Sequence, residues 1–210
     1  MTLTTMIAAV RQDLHDEDAA NYRWTDAVLT RHIAHALTEF SSALPVEDTA
    51  TIATTSGSRD ISIAALTTRV MVEAVEYKTG NFPPSYQRFS EWKDTLTILS
   101  DELPDGSDAK VYYGKLHTLD GSGSTIPTQY ENLVAHGAAG FALVEWAAYA
   151  VNRVNVGGAD TPRTYRLEGE ARLKLFRDGL NKLGRQSRVR VRQLYTPYQA
   201  PVSKSIVMGP

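Results

Sequence analysis

The chain has 210 residues, 42% hydrophobic and 22% charged, with a formal charge of −2 and no cysteine. That balance suits a folded globular protein and argues against a wholly disordered one, while the missing cysteine excludes disulfides, thiolate metal ligands and a cysteine nucleophile. The opening MTLTTMIAAVRQDLHDED lacks a basic start, and its apolar run is too short for a signal peptide, so synthesis in the cytoplasm is expected.

The charge is unevenly spread. Residues 160–194 carry ten Lys/Arg against four Asp/Glu, a local +6, which leaves −8 on the rest of the chain. A basic segment on an acidic body can dock a polyanion or an acidic protein surface; the plain alternative is a solvated helix face.

A first helix is predicted from about Thr4 to Leu14, with Ile7, Val10 and Leu14 at helical spacing, ending in the polar loop HDEDAANYR. A second begins at Thr25, a good N-cap, with Asp26 in the first turn where the helix dipole favours it. Leu29, Ile33, Leu37 and Phe40 form its apolar stripe, and Pro45 bounds its end. The texture then changes to short runs rich in Thr, Val, Ile and Tyr. TATIATT, ISIAALTT, RVMVEAVEY, DTLTIL and AKVYYGKLHTL read as strands, punctuated by SGSRD, KTGNFPPS, SDELPDGSD and DGSGS.

Helical texture returns near Pro127. LVAHGAAGFALVEWAAYAV, residues 133–151, is apolar all round and nearly long enough to span a membrane. Its Ala/Gly-rich composition, the internal Glu145 and the lack of a closely flanking basic cluster favour a helix buried on several sides, in a bundle or between subunits. Gly137 and Gly140 would let another backbone approach, which makes them, with Phe141 and Trp146, candidates for a subunit interface. After NVGGAD, Thr161 reads as a cap and Pro162 as the first helical residue. From Tyr165 to Leu194 apolar or small residues recur every three or four positions. They imply one helix of about thirty residues, roughly 45–50 Å long at about 1.5 Å per residue. Its last part, SRVRVRQLY, also alternates like a strand, but the stripe continues in phase. The tail TPYQAPVSKSIVMGP has no periodicity and reads as an extended arm that orders on a partner.

No chemical template fits. His32 and His35 lie three apart on the second helix, but the HExxH spacing is absent and His15, His117 and His136 fall on other elements, so surface histidines are the expected reading. GSGST lacks the lysine and spacing of a P-loop, no GxSxG elbow is present, and DGSD and DGSGS lack the spacing of a calcium loop. The contiguous Asp16, Glu17 and Asp18 read as a solvated turn. No catalytic residue, metal ligand or cofactor is expected, and the chain reads as non-enzymatic. Arg185, Arg188, Arg190 and Arg192 crowd the end of the long helix, followed by Tyr195 and Tyr198; arginines so placed can contact phosphates without reading sequence.

An N-terminal helix followed by DED…YRWTDAVLTRHIAHALTEFSSALP resembles the opening of tailed-phage head–tail adaptor, or connector, proteins. IPTQYENLVAHGAAGFALVEWA, an Ile-Pro followed by Tyr-Glu and a long Ala/Gly-rich helix, resembles them as well. The likeness covers most of residues 3–155 and is sharpest at 23–26 and 126–143. It implies a mainly helical α+β fold: a helical bundle with an inserted small antiparallel β unit and an extended C-terminal arm. The expected division is bundle helices at 1–46, the β-rich insertion at 47–127, long helices at 128–195 and the arm at 196–210.

The resemblance implies a virion neck protein that forms a ring of about twelve copies under the portal. Such a ring extends the DNA channel and carries the stopper or tail. It has no catalytic role and no membrane. Docking on the portal is expected from the C-terminal region, with Tyr195, Tyr198, Val202, Lys204, Ile206 and Val207 as candidates. Arg185, Arg188, Arg190 and Arg192 face either the portal or packaged double-stranded DNA. A tail-completion or stopper protein of the same neck, or a DNA-binding packaging factor outside the virion, are the alternatives.

Overall fold

The structure, a computed structural model, describes residues 1–151, 158 and 160–195, with side chains described as far as Arg185. Four helices carry most of the regular structure: α1 (Leu3–Leu14), α2 (Asp26–Ala43), α3 (Glu131–Ala150) and α4 (Thr161–Tyr195). Between α2 and α3 lie seven strands: β1 (Val46–Ala53), β2 (Asp60–Ser62), β3 (Arg69–Tyr77), β4 (Tyr86–Gln87), β5 (Phe89–Trp92), β6 (Thr95–Ile98) and β7 (Asp108–Lys115). The fold is α+β, with two compact units: Met1–Leu44 with His117–Gly184, and a second centred on Pro45–Leu116.

In the helical unit, local chemistry sets each helix start. Thr2 and Thr5 form a capping box on α1, each side chain accepting the other's backbone N–H, at 3.4 and 2.8 Å. Thr25 accepts the Val28 N–H at 3.4 Å and opens α2 where the sequence predicts. Leu29, Ile33 and Phe40 of the expected stripe are buried, and Leu37 is partly so. They meet Met6 and Val10 of α1, Val134, Ala138 and Ala142 of α3, and Phe176, Leu180 and Leu183 of α4 in one core. α4 begins at Thr161 rather than after it: the Asp160 carbonyl takes the first helical N–H, from Thr164, at 3.0 Å. Its backbone stays helical through the alternating SRVRVRQLY to Tyr195, as the in-phase stripe implies.

α3 and α4 approach each other closely at glycines. A Cβ on Gly137 would sit 2.9 Å from the Phe176 ring, and one on Gly140 3.0 Å from Leu173 Cγ. From the other side, a Cβ on Gly169 of α4 would sit 2.8 Å from Val144. Thr128–Ala150 is long and apolar enough to cross a membrane by length and composition, yet 56% of its most apolar window is buried inside the fold. That is the pattern of a helix enclosed on several sides by its own chain.

In the second unit every strand pair is antiparallel. One sheet has the order β1-β7-β3-β4 and the other β2-β6-β5. Ile61, Ile63, Val75, Leu96, Ile98, Ala109 and Val111 form a small separate core. RVMVEAVEY is β3 from end to end. ISIAALTT is a strand only at its start; it turns at 64–65 and 67–68. The strands β4 and β5 fall in a stretch with no alternating signal, and their pairing with β3 and β6 supplies the order that local sequence does not. The expected arm, residues 196–210, lies outside the described residues.

Candidate functional site

The residues that carry the likeness to adaptors build a buried polar clamp. Arg11 of α1 is 5% exposed. Its Nη1 donates to Asp16 Oδ2 at 2.7 Å, and its Nη2 to the Trp24 carbonyl at 2.9 Å and Asp26 Oδ1 at 2.7 Å. Asp16 in turn accepts the backbone N–H of Arg23 at 2.7 Å and of Trp24 at 3.2 Å. The Tyr22 ring covers the guanidinium, its centroid 3.5 Å from Cζ. The acidic loop and the RWTD step are thus two sides of one turn, closed by an arginine in the last turn of α1, five residues before Asp16. Asp16 corrects the expectation of a solvated acidic run: it is buried, and the Arg11 guanidinium and two backbone N–H groups take the place of water at its oxygens. Glu17 and Asp18 are exposed.

His32 also departs from the surface reading. α3 covers that flank of α2, leaving His32 6% exposed, and its Nε2 lies 2.6 Å from Glu145 Oε2 without an aligned hydrogen bond. Burial lowers its pKa, against the pull of Glu145. Arg31 bonds the same carboxylate and holds the Glu145 pKa below its usual value. His35 is exposed and stacks on Phe141 at 4.0 Å. His117 is buried between Leu44 O (2.9 Å) and Thr125 Oγ1 (3.1 Å), which burial likewise turns towards the neutral form. Among the described residues no group of three or more His, Asp or Glu is placed to hold a metal.

The four candidate subunit contacts all have partners within the chain. Gly137 and Gly140 face Phe176 and Leu173 of α4. Phe141 lies between the His35 ring and the Arg177 guanidinium, the latter 5.9 Å away. Trp146 lies 5.4 Å from Trp24 and 5.0 Å from Tyr149. Arg23 sits among the rings of Trp24, Trp146 and Tyr165, at 5.5, 5.3 and 5.3 Å, and bonds the Tyr165 hydroxyl.

Of the basic cluster, Arg185 is exposed on α4; Arg188, Arg190 and Arg192 lie on helical backbone, and their side chains, like that of Tyr195, are outside the described residues. Tyr198, Val202, Lys204, Ile206 and Val207 are outside them altogether. The β unit adds a surface that the sequence reading passed over. Phe82 is 96% exposed and Trp92 86%. The available signal for Phe82 was an aromatic residue held between Asn81 and two prolines, in a stretch read simply as punctuation.

A search of curated proteins gives no match. A family model described as the SU10 adaptor protein matches residues 1–202, nearly the whole chain. The chain therefore belongs to the SU10 adaptor protein family, a structural component of the phage virion that acts as a head–tail adaptor.

Proposed function

We propose that the protein assembles as a ring of about twelve copies beneath the portal of the phage head, extends the DNA channel and carries the stopper or tail-completion proteins. The observation that carries this reading is the adaptor family match over residues 1–202. In it, residues 1–46 and 128–195 form the helical bundle, 47–127 an insertion exposed to neighbours, and 196–210 an arm. The arm, with Tyr195, Tyr198, Val202, Lys204, Ile206 and Val207, docks on the portal. Arg185, Arg188, Arg190 and Arg192 approach either portal or DNA, in both cases by charge.

Disrupting the gene tests the reading. It should yield DNA-containing or leaking heads beside separate, unattached tails under the electron microscope; normal tailed particles would overturn it. Removing residues 198–210 should leave a folded chain that no longer binds portal. Replacing Arg188, Arg190 and Arg192 together should flatten the salt dependence of DNA binding if they face the channel; an unchanged slope assigns them to protein.

A further inference from the structure

The β unit has two ends, and they differ. β3 is nine residues long, so its ends lie roughly 27 Å apart. At one end Arg69 pairs with Lys115, as does Val46, so the chain enters and leaves there. The other end is a free tip. The loop at 78–85 and the loop at 99–107 meet at this tip: Thr79 N–H donates to Asp108 O at 3.1 Å, and the Tyr77 hydroxyl to Asp105 Oδ1 at 2.7 Å. Lys78 also bonds Asp105 and, with Ser107 and Tyr77, holds its carboxyl well below the usual range. The tip displays Phe82, 96% exposed, and Leu103, 54% exposed, beside the exposed carboxylates of Asp101 and Glu102. Arg59 reaches this loop, but its guanidinium is spent on the carbonyls of Ser100 and Asp101.

The outer face of α4 has the opposite character. Leu173, Phe176, Leu180 and Leu183 turn into the core. Leu167 and Leu175, eight residues apart and so about 12 Å along the axis, are 56% and 63% exposed on the far side, with exposed Ala171 between them. Once the pairs Arg166–Glu170, Arg172–Glu168 and Arg177–Glu39 are set aside, this row holds Arg163, Lys174, Lys182 and Arg185 against the single carboxylate of Asp178.

We propose that the free tip of the β unit in one copy of this chain, led by Phe82 and Leu103, docks on the Leu167–Leu175 row of α4 in a second copy. Apolar side chains meet apolar side chains, and Asp101 and Glu102 meet Lys174 and its basic neighbours. Tip against tip would set carboxylates together, and row against row would set cations together, so like faces repel. The contact is therefore head-to-tail, and each copy has one tip and one row to offer. Repeated from copy to copy, such a heterologous contact makes a ring when the rotation between copies closes and an open filament when it does not. An exposed aromatic anchor with an apolar neighbour and a charged rim has the composition of an interface centre. The inference rests on the reading of the chain as a multi-copy adaptor, and it names the surfaces by which copies join.

The absence of cysteine makes the test direct. Full-length Asn81→Cys and Ala171→Cys chains, whose exposed cysteines flank the contact and leave Phe82, Leu103, Leu167 and Leu175 in place, are mixed in equal amounts at high concentration and lightly oxidised. Random collision gives the mixed disulfide dimer twice as often as either homodimer. Docking should raise the mixed species several-fold above that ratio, and salt near 1 M, where the screening length falls to about 3 Å, should reduce it. Lys174→Glu in the Ala171→Cys chain should lower the yield, and Asp101→Lys with Glu102→Lys in the Asn81→Cys chain should restore it. All these positions are exposed, so circular dichroism should show every chain folded. A mixed dimer at the random ratio, or one indifferent to Lys174→Glu, overturns the contact and leaves the tip to another neck protein. The pairing is read on the free chain and the adaptor role on particles, so either can fail alone.

Discussion

The two units of this protein spend their apolar residues differently. Among the described residues the helical unit buries eighteen in one core, reaching from Met6 to Leu183, and the β unit buries eight. The helical unit also buries charge, with Arg11 and Asp16 locked together under Tyr22. The β unit also buries one carboxylate, Glu76, but it leaves Phe82 and Trp92 almost wholly in water, further out than Leu167 and Leu175 of α4. A buried, charge-clamped unit keeps a shape; a thin-cored unit with bare aromatics presents one. In the proposed assembly, the difference separates what must stay constant from what meets a neighbour.

The largest expected effect tests the clamp. Arg11→Met leaves Asp16 buried without its cation, and breaking such a pair costs about 3–5 kcal/mol. In a chain of this size that is roughly 2–4 °C of melting temperature per kcal/mol. Adding Asp16→Asn should recover part of the loss, since an amide oxygen still accepts the Arg23 N–H and no longer needs a counter-charge. If calorimetry finds Arg11→Met within about 0.5 kcal/mol of the parent, as for an ordinary surface change, the clamp is decoration and the contrast between the units weakens.

Next comes the close approach of α3 and α4. Gly137→Ala drives a methyl to 2.9 Å from the Phe176 ring and should cost about 1–3 kcal/mol, the range for overpacking. In a Phe176→Leu background, where the ring is gone, the same substitution should cost clearly less. Equal costs in both backgrounds, read from urea unfolding, would mean that α4 does not press on Gly137.

How much of this was legible in the sequence depends on whether the cause was local. Thr25 caps its own helix and RVMVEAVEY alternates into its own strand, so both are plain in the letters. The α4 stripe is plain because a period sustained over thirty residues survives its glycines. Gly137 and Gly140 correctly announce a close neighbour, but not whether it belongs to the same chain or another; in the fold the partner is α4. Asp16 and His32 were misread because their burial comes from residues far along the chain or across a turn, Arg11 for one and α3 for the other. β4 and β5 take their order from strands they pair with. Exposed aromatics leave no periodic trace, so Trp92 is silent in the letters and Phe82 is marked only by its place between Asn81 and two prolines.

Acid should tell the units apart more gently. Burial lowers the pKa of His32, His117 and His136, all in the helical unit. Each therefore takes up a proton more readily when unfolded, where the pKa is about 6.5. Their contribution to stability is complete above that pH and is lost as the pH falls towards the lower folded values. Glu145, held down by Arg31, acts in a separate window below about pH 4.3. The melting temperature should thus decline between pH 7.5 and 5, and His32→Leu should flatten part of the decline. A melting temperature that rises over that range would show that Glu145 outweighs burial at His32.

The smallest effect is expected at the most conspicuous residue. Trp92 closes the β5–β6 hairpin opposite Thr95, and with 86% of its surface in water it has little burial to lose. The hairpin is held from elsewhere: Arg69 donates to the Lys93 carbonyl at 2.9 Å and to Glu91 at 2.9 Å, and Ile63 N–H bonds the Asp94 carbonyl at 2.9 Å. Trp92→Ala should therefore change stability by no more than about 0.5 kcal/mol, whereas Phe176→Ala, removing a ring of similar chemistry from the other unit, should cost about 3–5 kcal/mol. A fall of several degrees for Trp92→Ala would mean that the indole supports the sheet, and the bare aromatics of the β unit would then be fold residues after all. An unchanged melting temperature combined with fewer completed particles would mean that an aromatic side chain kept in water by the free chain is there for a partner to cover.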